Sequence, residues 1–396
     1  MLEMKTLVDE HPEVKVYIVG GYVRDRLLGR DGKDHDFVVV KATPQMMLNA
    51  GFKQVGADFP VYLNSIGDEY ALARTERKTG GGYHGFETDF STDVTLEDDL
   101  KRRDLTINSM AREVIGWNEL GHAKLSDDII DPFNGQKHLR KGIIKHTSKA
   151  FKEDPVRILR AARFRARYSF DVAKSTKNLM TKMVDAGEVD HLTPERVWSE
   201  FEKAMGEPEP ILFFWTLMEC GAYYSLFPEL GKSLISSGWP LRTAVLHNLS
   251  TLERLAIVFS GIPREDAVTL LDRLKAPSDV KRLSLKMRVV LEAVEKVQHR
   301  MGASSVWDMD NKGMLELLNT LDVYRRPDDL YALATISSMY ASKTRHRLDH
   351  ILQAFQQTKG VNFATLDKKA QDTLTGKEIG AAIEKERLKR IDVDWS

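Results

Sequence analysis

Apolar and polar positions alternate in short blocks over residues 14 to about 136, a pattern typical of strands mixed with helices. The runs Val16–Val19 and Phe37–Val40 are rich in β-branched residues and predict two strands. Val61–Leu63 and Tyr70–Leu72 predict a hairpin, because the turn-forming segment Ser65–Asp68 lies between them. This part of the chain is therefore predicted to form a mixed sheet with helices.

A longer helical pattern follows over Leu96–Ala111, with Thr95 as its capping residue. Before it, Gly80–Gly82 predicts a flexible loop. After it, Asp131–Gly135 has the composition of a turn and predicts a domain boundary. We therefore expect the first domain to end at about residue 136.

Beyond that turn the pattern becomes almost entirely helical. Asp154-Pro155 predicts the start of a helix over Val156–Tyr168, and Thr193 precedes another helix that runs to Met205. The predicted fold class is α+β, a mixed-sheet head followed by helical segments. The expected domains are residues 1–136, 137–215 and 216–396.

Composition narrows the class of protein. The chain has 396 residues, 42% of them hydrophobic, and its formal net charge is zero. The charge is uneven, because Lys137–Lys182 holds 14 Lys and Arg against 3 Asp and Glu, which suits a polyanionic partner.

The single cysteine, Cys220, is expected to be a buried thiol and excludes an intrachain disulfide or a cysteine zinc cluster. Without a signal-peptide core or an apolar stretch that could cross a bilayer, a cytoplasmic protein is expected.

Asp34 and Asp36 precede an apolar run and are the most informative polar pair. Side chains at i and i+2 of a strand share a face, so the two carboxylates repel unless a cation lies between them. Mg²⁺ suits such oxygen ligands, whereas His35 faces away and is a poor co-ligand. Taken alone, the triplet could be two solvated carboxylates. Beside it, however, Gly20-Gly21 offers bare backbone N–H groups to phosphate, which together predicts a metal-dependent enzyme acting on a nucleoside triphosphate.

Two further segments add polar groups to the head. Glu69, on the predicted neighbouring strand, could reach the metal or deprotonate an attacking hydroxyl, and an exposed glutamate at a strand start is an equally good interpretation. Arg102 and Arg103, on the helix predicted to continue through Asn108, could hold a triphosphate. For an isolated arginine pair, a solvated helix face is the simpler interpretation.

Asp154, Arg157 and Arg160 lie along one face of the helix predicted at Val156–Tyr168. A carboxylate that accepts hydrogen bonds and a guanidinium that donates them could pair with the edge of a nucleobase. The alternative is a capping aspartate with an intrahelical Asp–Arg pair, and the two interpretations are compatible.

Six motifs occur in a fixed order along the chain. They are Val19–Asp25, Asp34–Asp36, Arg102–Asn108, Asp131–Gly135, Glu153–Arg157 and Leu192–Arg196. Their order resembles that of class II tRNA nucleotidyltransferases, the bacterial CCA-adding enzymes with their poly(A) polymerase relatives. The connecting segments Glu69–Lys78 and Val94–Asn108 resemble the bacterial CCA-adding subgroup in particular. The resemblance is dense over residues 14 to about 230 and thin afterwards.

This resemblance implies a head of the DNA polymerase β-type nucleotidyltransferase fold, a neck at 137–215 that selects the nucleobase, and a body and tail at 216–396 that bind tRNA. It implies that Asp34 and Asp36 hold Mg²⁺, with Glu69 as the third carboxylate. Asp154 and Arg157 match the pair that recognises C and A by Watson–Crick-like hydrogen bonds. The resemblance also implies that the triphosphate or base of CTP and ATP is contacted by Gly21, Arg24, Arg103, Arg157 and Arg160, which fall on the family positions for these contacts.

The implied activity is addition of C, C and A to the 3′ end of tRNA without a nucleic-acid template, and no obligate protein partner is inferred. The alternatives are a poly(A) polymerase, an inactive RNA-binding homologue and a small-molecule nucleotidyltransferase. One departure concerns the HD phosphohydrolase domain that related bacterial enzymes often carry. The segment 239–261 contains His247 but no His-Asp dipeptide, so no phosphatase or phosphodiesterase activity is predicted.

Overall fold

The chain forms two compact units in the computed structural model, residues 1–200 with 212–226 and residues 201–211 with 227–396. The structure describes residues 2–32, 35–56, 60–78, 86–89, 91–118, 122–231, 234–300, 309–340 and 342–392. Asp34 and the predicted loop Gly80–Gly82 lie outside these ranges. The finer division at residues 136 and 215 stays a prediction.

Strands and helices alternate through the first unit, as the pattern of apolar positions predicts. The strands are β1 (Lys15–Val19), β2 (Asp36–Val40), β3 (Lys53–Val55), β4 (Val61–Leu63), β5 (Glu69–Leu72), β6 (Thr75–Lys78), β7 (Phe86–Asp89), β8 (Ala111–Trp117), β9 (Ala123–Leu125), β10 (Ile143–Ile144) and β11 (Asp171–Val172). The helices up to residue 226 are α1 (Leu2–Glu10), α2 (Gly21–Leu27), α3 (Pro44–Asn49), α4 (Leu96–Lys101), α5 (Gly135–Arg140), α6 (Val156–Tyr168), α7 (Lys174–Asp185), α8 (Pro194–Met205), α9 (Ile211–Glu219) and α10 (Ala222–Leu226).

Seven of the described strands form one sheet in the order β3-β4-β5-β2-β1-β8-β9. Strands β2 and β5 are parallel, whereas the other neighbouring pairs are antiparallel, and β4 with β5 is the predicted hairpin. On one face, Val38 and Val40 pack with Leu100 of α4. On the other face, Phe37 stacks on Tyr70 with ring centroids 4.6 Å apart. The sheet therefore buries both faces near its centre.

The helix predicted over Leu96–Ala111 is wrong beyond Lys101, where α4 ends. The Asp104 side chain accepts hydrogen bonds from the backbone N–H of the next residue (2.7 Å) and from Asn108 (3.0 Å). Such local side-chain bonds compete with the helical ladder, and a short 3₁₀ turn at Thr106–Asn108 leads into β8 instead. Arg102 and Arg103 thus follow the helix and do not lie within it.

Where the sequence contains local start signals, the predicted helices are confirmed. Thr95 caps α4 in a reciprocal capping box. The helix α6 spans Val156–Tyr168, and Asp154 accepts from the Val156 N–H at 3.2 Å. In the predicted turn, Asp131 accepts from the backbone N–H of Gly135 at 2.6 Å.

The described part of the second unit is helical, as predicted. Its helices are α11 (Leu234–Leu246), α12 (Thr251–Ser260), α13 (Arg264–Arg273), α14 (Ser278–Arg300), α15 (Asn311–Thr320), α16 (Pro327–Ser337), α17 (Ser342–Thr358), α18 (Lys368–Thr373) and α19 (Lys377–Arg390). His247 is exposed and directly follows α11. Cys220 of the first unit is buried, as predicted. No helix in the described ranges is both long and apolar enough to cross a membrane.

Candidate active site at one edge of the sheet

Asp36 and Glu69 face each other across the parallel pair β2 and β5, where they are register partners. Both residues are exposed. Among the described residues, neither carboxylate has a hydrogen bond or an ion pair. Register partners of a sheet share a face, so the structure places two uncompensated carboxylates side by side.

The glycine turn lies at the same edge of the sheet. Strands β1 and β2 are antiparallel with Ile18 opposite Phe37, so the same register brings Asp36 opposite Val19, next to Gly20. Gly20 has φ +70° and ψ −122°, a conformation that essentially only glycine adopts. The chain therefore turns beside the carboxylates and enters α2 at Gly21.

Arg103 points at this turn. Its Nη1 lies 3.2 Å from the position that a Cβ on Gly20 would occupy. Its Nε and Nη2 donate to Asp99 Oδ2 at 3.2 and 3.1 Å, whereas no described residue accepts from Nη1. A fixed guanidinium with one edge unused is suited to an anion beside the turn.

Asp99 holds the arginine pair in place. It is fully buried and also accepts from Nη2 of Arg102 at 2.6 Å. Burial alone would raise the pKa of Asp99, but the charges of Arg102 and Arg103 and their hydrogen bonds lower it below its ordinary value. The interpretation of this pair as a solvated helix face is therefore wrong.

Arg24 lies beneath the turn and is only 4% exposed. Its Nε and Nη2 donate to the two Asp25 oxygens at 2.9 Å each, and its Nη1 donates to Asn108. Its guanidinium also covers the ring of Phe164 on α6, 5.1 Å from the centroid. Because Nη2 lies 3.5 Å from an ideal Cβ at Gly21, the positive charge is close to the turn, although each of its three nitrogens already donates to the protein.

Arg160 connects α6 to the head through Asp104, which accepts from the Arg160 Nε at 2.8 Å. Asp104 is buried, which raises its pKa, but Arg160 and the hydrogen bond from Asn108 outweigh that effect and lower the pKa to about 2. Arg160 Nη1 also lies 3.8 Å from Oε1 of Glu200. The Arg160 guanidinium thus interacts with the carboxylates of both Asp104 and Glu200.

Asp154 and Arg157 do not pair with each other. Asp154 Oδ2 accepts from Nη2 of Arg196 on α8 at 2.7 Å, so the ion pair is not intrahelical. Arg157 is 9% exposed, and its Nη1 donates to the Ala150 carbonyl oxygen at 2.8 Å. None of the described residues accepts from its Nε or Nη2, which leaves donors for another group.

The structure gathers the two sequence blocks into one region of the first unit, because α6 contacts the head through Arg24 and Arg160. Asp34 lies outside the described residues, and His35 packs beside Tyr22 and Phe37. Sequence reasoning missed three supporting residues. Asp99 could have been found, since it precedes the two arginines by three and four residues, the spacing of helical ion pairs. For Arg196, and for the contact of Asn108 with Arg24, no local signal exists, because these partners are distant in sequence.

No group of three or more His, Cys, Asp or Glu side chains suited to a metal ion occurs within the described ranges. Asp36 and Glu69 nevertheless fit a hard cation chemically, because they offer adjacent carboxylate oxygens with which no described cationic side chain pairs. The site therefore combines oxygen ligands, a glycine turn and an arginine directed at that turn.

Two family models match this chain, the poly A polymerase head domain over residues 16–145 and the probable RNA and SrmB-binding site of polymerase A over residues 169–234. The first match covers the sheet and its acidic edge, and the second begins at the end of α6. Fold, site and family models together define a nucleotidyltransferase head followed by a helical RNA-associated segment.

Curated relatives align along nearly the whole chain. A CCA-adding enzyme of Marinobacter nauticus is 42% identical over 390 residues, which covers 96% of this chain and 98% of the relative. A CCA-adding enzyme of Pseudomonas putida is 40% identical over 385 residues and covers 95% and 98%. The chain therefore belongs to the family of CCA-adding tRNA nucleotidyltransferases, which shares its head domain with poly(A) polymerases.

Solved structures agree on the fold. The Thermotoga maritima CCA-adding enzyme in complex with tRNA has a TM-score of 0.66 at 22% identity, over 98% of this chain and 89% of the other. Further structures of the same fold are complexes of CCA-adding enzymes with ATP and with CTP. At this identity they support the polymerase β-type head and helical continuation that the motifs imply.

Proposed function

We propose that this chain adds C, C and A to the 3′ end of tRNA from CTP and ATP, without a nucleic-acid template and with release of pyrophosphate. The observation that carries the proposal is the pairing of Asp36 with Glu69 beside the Gly20 turn, with Arg103 directed at the same turn. These groups supply oxygen ligands and positive charge where a triphosphate and an attacking hydroxyl must meet.

Asp36 and Glu69, with Asp34 added from the family motif, are proposed to hold Mg²⁺. Bound there, the metal would activate the RNA 3′-hydroxyl and neutralise the leaving pyrophosphate. The chain contributes the position of the carboxylates, since Asp36 and Glu69 are fixed by the register of a buried sheet. Because β2 and β5 pair directly, the two carboxylates are brought together by strands and not by a loop.

The triphosphate is proposed to lie against Gly21 and Arg103. Backbone N–H groups at the start of α2 and the unused edge of Arg103 donate to phosphate oxygens. Arg24 acts from beneath the turn, where Asp25 and Asn108 fix its orientation. Its charge contributes to the local potential, although its hydrogen bonds go to the protein.

The nucleobase is proposed to be selected on α6. Asp154 accepts and Arg157 donates hydrogen bonds along the base edge, and Arg160 lies one turn further along the helix. Arg196 fixes the Asp154 carboxylate from α8, so the acceptor is held in one orientation. The helix thus presents an acceptor and a donor to C or A.

The remaining parts of the proposal concern the whole chain. Residues 1–136 form the catalytic head, 137–215 the neck that selects the base, and 216–396 the body and tail that bind tRNA. The basic excess over Lys137–Lys182 suits the tRNA backbone. A cytoplasmic location is proposed because tRNA is the substrate.

One incorporation assay tests this function. The full-length protein is supplied with Mg²⁺ and a tRNA that ends before CCA, with each nucleotide alone and with all four together. We expect CTP to extend the RNA by two residues, and CTP with ATP to extend it by three residues and then stop. A long adenosine tail would identify a poly(A) polymerase instead, and no incorporation would identify an inactive homologue.

A further inference from the structure

A row of buried polar side chains connects the glycine turn to helix α6. Arg24 Nη1 donates to Oδ1 of Asn108, whose Nδ2 donates to Asp104 Oδ1 at 3.0 Å. Arg160 Nε then donates to the other oxygen of Asp104 at 2.8 Å. Asp104 and Asn108 are each 6% exposed and form what is here named the 104–108 bridge. Its two ends are arginines from different parts of the chain.

The chemistry of Asn108 is fixed from both sides. Arg24 can only donate, so the atom facing it must be the amide oxygen, and the Asp104 carboxylate can only accept, so the atom facing it must be the amide nitrogen. Aspartate at position 108 would place two carboxylates against each other in a buried site. Alanine would leave a buried donor and a buried acceptor unpaired. An amide is therefore the group that satisfies both neighbours.

Phe164 of α6 adds a second contact between the same ends. The guanidinium carbons of Arg24 and Arg160 lie 5.1 and 5.9 Å from the centroid of its ring. Phe164 is itself 4% exposed. Because the bridge and this ring connect the same two arginines, a shift of α6 would be transmitted to Arg24 and to the turn above it.

We propose that Asn108 and Asp104 are positioning residues that keep Arg24 and Arg160 at a fixed separation, so that the triphosphate and the base of one nucleotide are bound in a single register. This inference rests on the proposed function, in which Arg24 supports the triphosphate turn and Arg160 belongs to the base-selecting helix. A loosened bridge lets a wrong base occupy α6 while the triphosphate still binds. Selectivity should therefore decrease more than turnover of the correct nucleotide.

Three variants of the full-length enzyme separate this role from a general loss of stability. Asn108→Asp keeps an acceptor for Arg24 but sets a carboxylate against Asp104. Combining it with Asp104→Asn restores a donor opposite the carboxylate at position 108, although the amide nitrogen that faces position 108 can no longer accept from the Leu105 N–H. Ser109→Ala is the control, because Ser109 is fully buried in the same segment and donates to the Leu105 carbonyl oxygen but lies outside the bridge.

The measurement is kcat/KM for CTP and for UTP on tRNA ending before CCA, with thermal unfolding recorded for every variant. We expect Asn108→Asp to lower the CTP-to-UTP ratio by about tenfold. The double variant should recover part of that ratio, since the loss of the Leu105 bond remains, and Ser109→Ala should keep the ratio while lowering the Tm.

If the wild-type enzyme is active, each of three outcomes would overturn the proposed role of the bridge. They are an unchanged CTP-to-UTP ratio in Asn108→Asp, no recovery of the ratio in the double variant, and an equal loss of the ratio in Ser109→Ala. If the wild-type protein adds no nucleotide to tRNA, the proposed function fails, and the bridge fails with it.

Discussion

Asp36 and Glu69 are register partners on neighbouring parallel strands, and both carboxylates are exposed. Like charges directly opposite each other destabilise a sheet. In the described part of the chain no positive side chain compensates them. The strand pairing thus places two negative charges side by side, and the proposed metal site rests on this pairing.

Asp36→Asn should nearly abolish nucleotide incorporation and leave the fold intact. The residue is exposed and has no protein partner among the described residues, so we assign its charge to the proposed metal site and not to packing. Without metal, the Tm should stay equal or rise slightly, because the repulsion with Glu69 is removed. Pyrophosphate release with Mg²⁺ and thermal unfolding in a chelator measure the two effects. Asp128→Asn, at an exposed position beyond β9, is the matched control, and near-normal turnover of Asp36→Asn would remove the metal assignment.

Arg157→Ala should reduce discrimination among CTP, ATP, UTP and GTP more than it reduces stability. The substitution removes one hydrogen bond to the Ala150 carbonyl oxygen, a stability loss of about 1 kcal/mol. It also removes the unused donors that we assign to the base. Incorporation with each nucleotide alone measures discrimination, and urea unfolding measures stability.

Arg165→Ala supplies the comparison for that experiment. Arg165 lies on the same helix and is paired with Glu219 at 2.9 Å, so its loss also removes a polar contact of α6. Nucleotide preference should stay unchanged in this variant. If Arg157→Ala retains the wild-type preference as well, base selection by α6 is wrong.

Sequence signals succeeded where the deciding interactions are local. The helices α6 and α8 begin beside Asp154 and Thr193 as predicted, because capping and proline chemistry act within a few residues. The face of strand β2 on which Asp36 lies also follows from the sequence, because side chains alternate between the two faces of a strand. Each of these features depends only on residues that are near in the sequence, so the sequence alone predicts it.

The segment after Lys101 could not be predicted in the same way. The Asp104 carboxylate has a local bond with Asn108, but its other oxygen is held by Arg160, which is 56 residues further along the chain. Likewise, Asp154 pairs with Arg196 and not with Arg157, since α8 approaches from outside the local sequence. These choices are made by tertiary contacts, which spacing along one helix does not encode.

Asp104 should make the stability of the first unit depend on acidity. Its pKa in the folded protein is about 2, below the ordinary aspartate value, because Arg160 and Asn108 stabilise the charged form. A depressed pKa contributes stability that is fully present above about pH 4 and is lost as the pH falls toward 2, in total roughly 2 kcal/mol. Asp104→Asn should lack this dependence.

Urea unfolding of wild type and Asp104→Asn between about pH 6 and 2 measures the difference in free energy of unfolding. The difference should shrink across the lower part of that range. Ser109→Ala, which removes an uncharged buried group nearby, should differ from wild type by the same amount at every pH. A wild-type to Asp104→Asn difference that is constant with pH would contradict the assigned ion pair.

Gly20→Ala should weaken nucleotide binding as well as the fold, and Gly29→Ala should weaken the fold alone. Both glycines have positive φ, +70° and +69°, so each substitution strains the backbone by about 1 kcal/mol or more, and the ψ of −122° at Gly20 makes the strain there the larger. A Cβ at position 20 would lie 3.2 Å from Arg103 Nη1, whereas one at position 29 meets nothing within 4 Å. Urea unfolding measures the shared strain, and the KM for CTP measures displacement of Arg103, for which we expect an increase of about tenfold in Gly20→Ala only. Equal KM values in the two variants would show that Arg103 does not bind the triphosphate beside this turn.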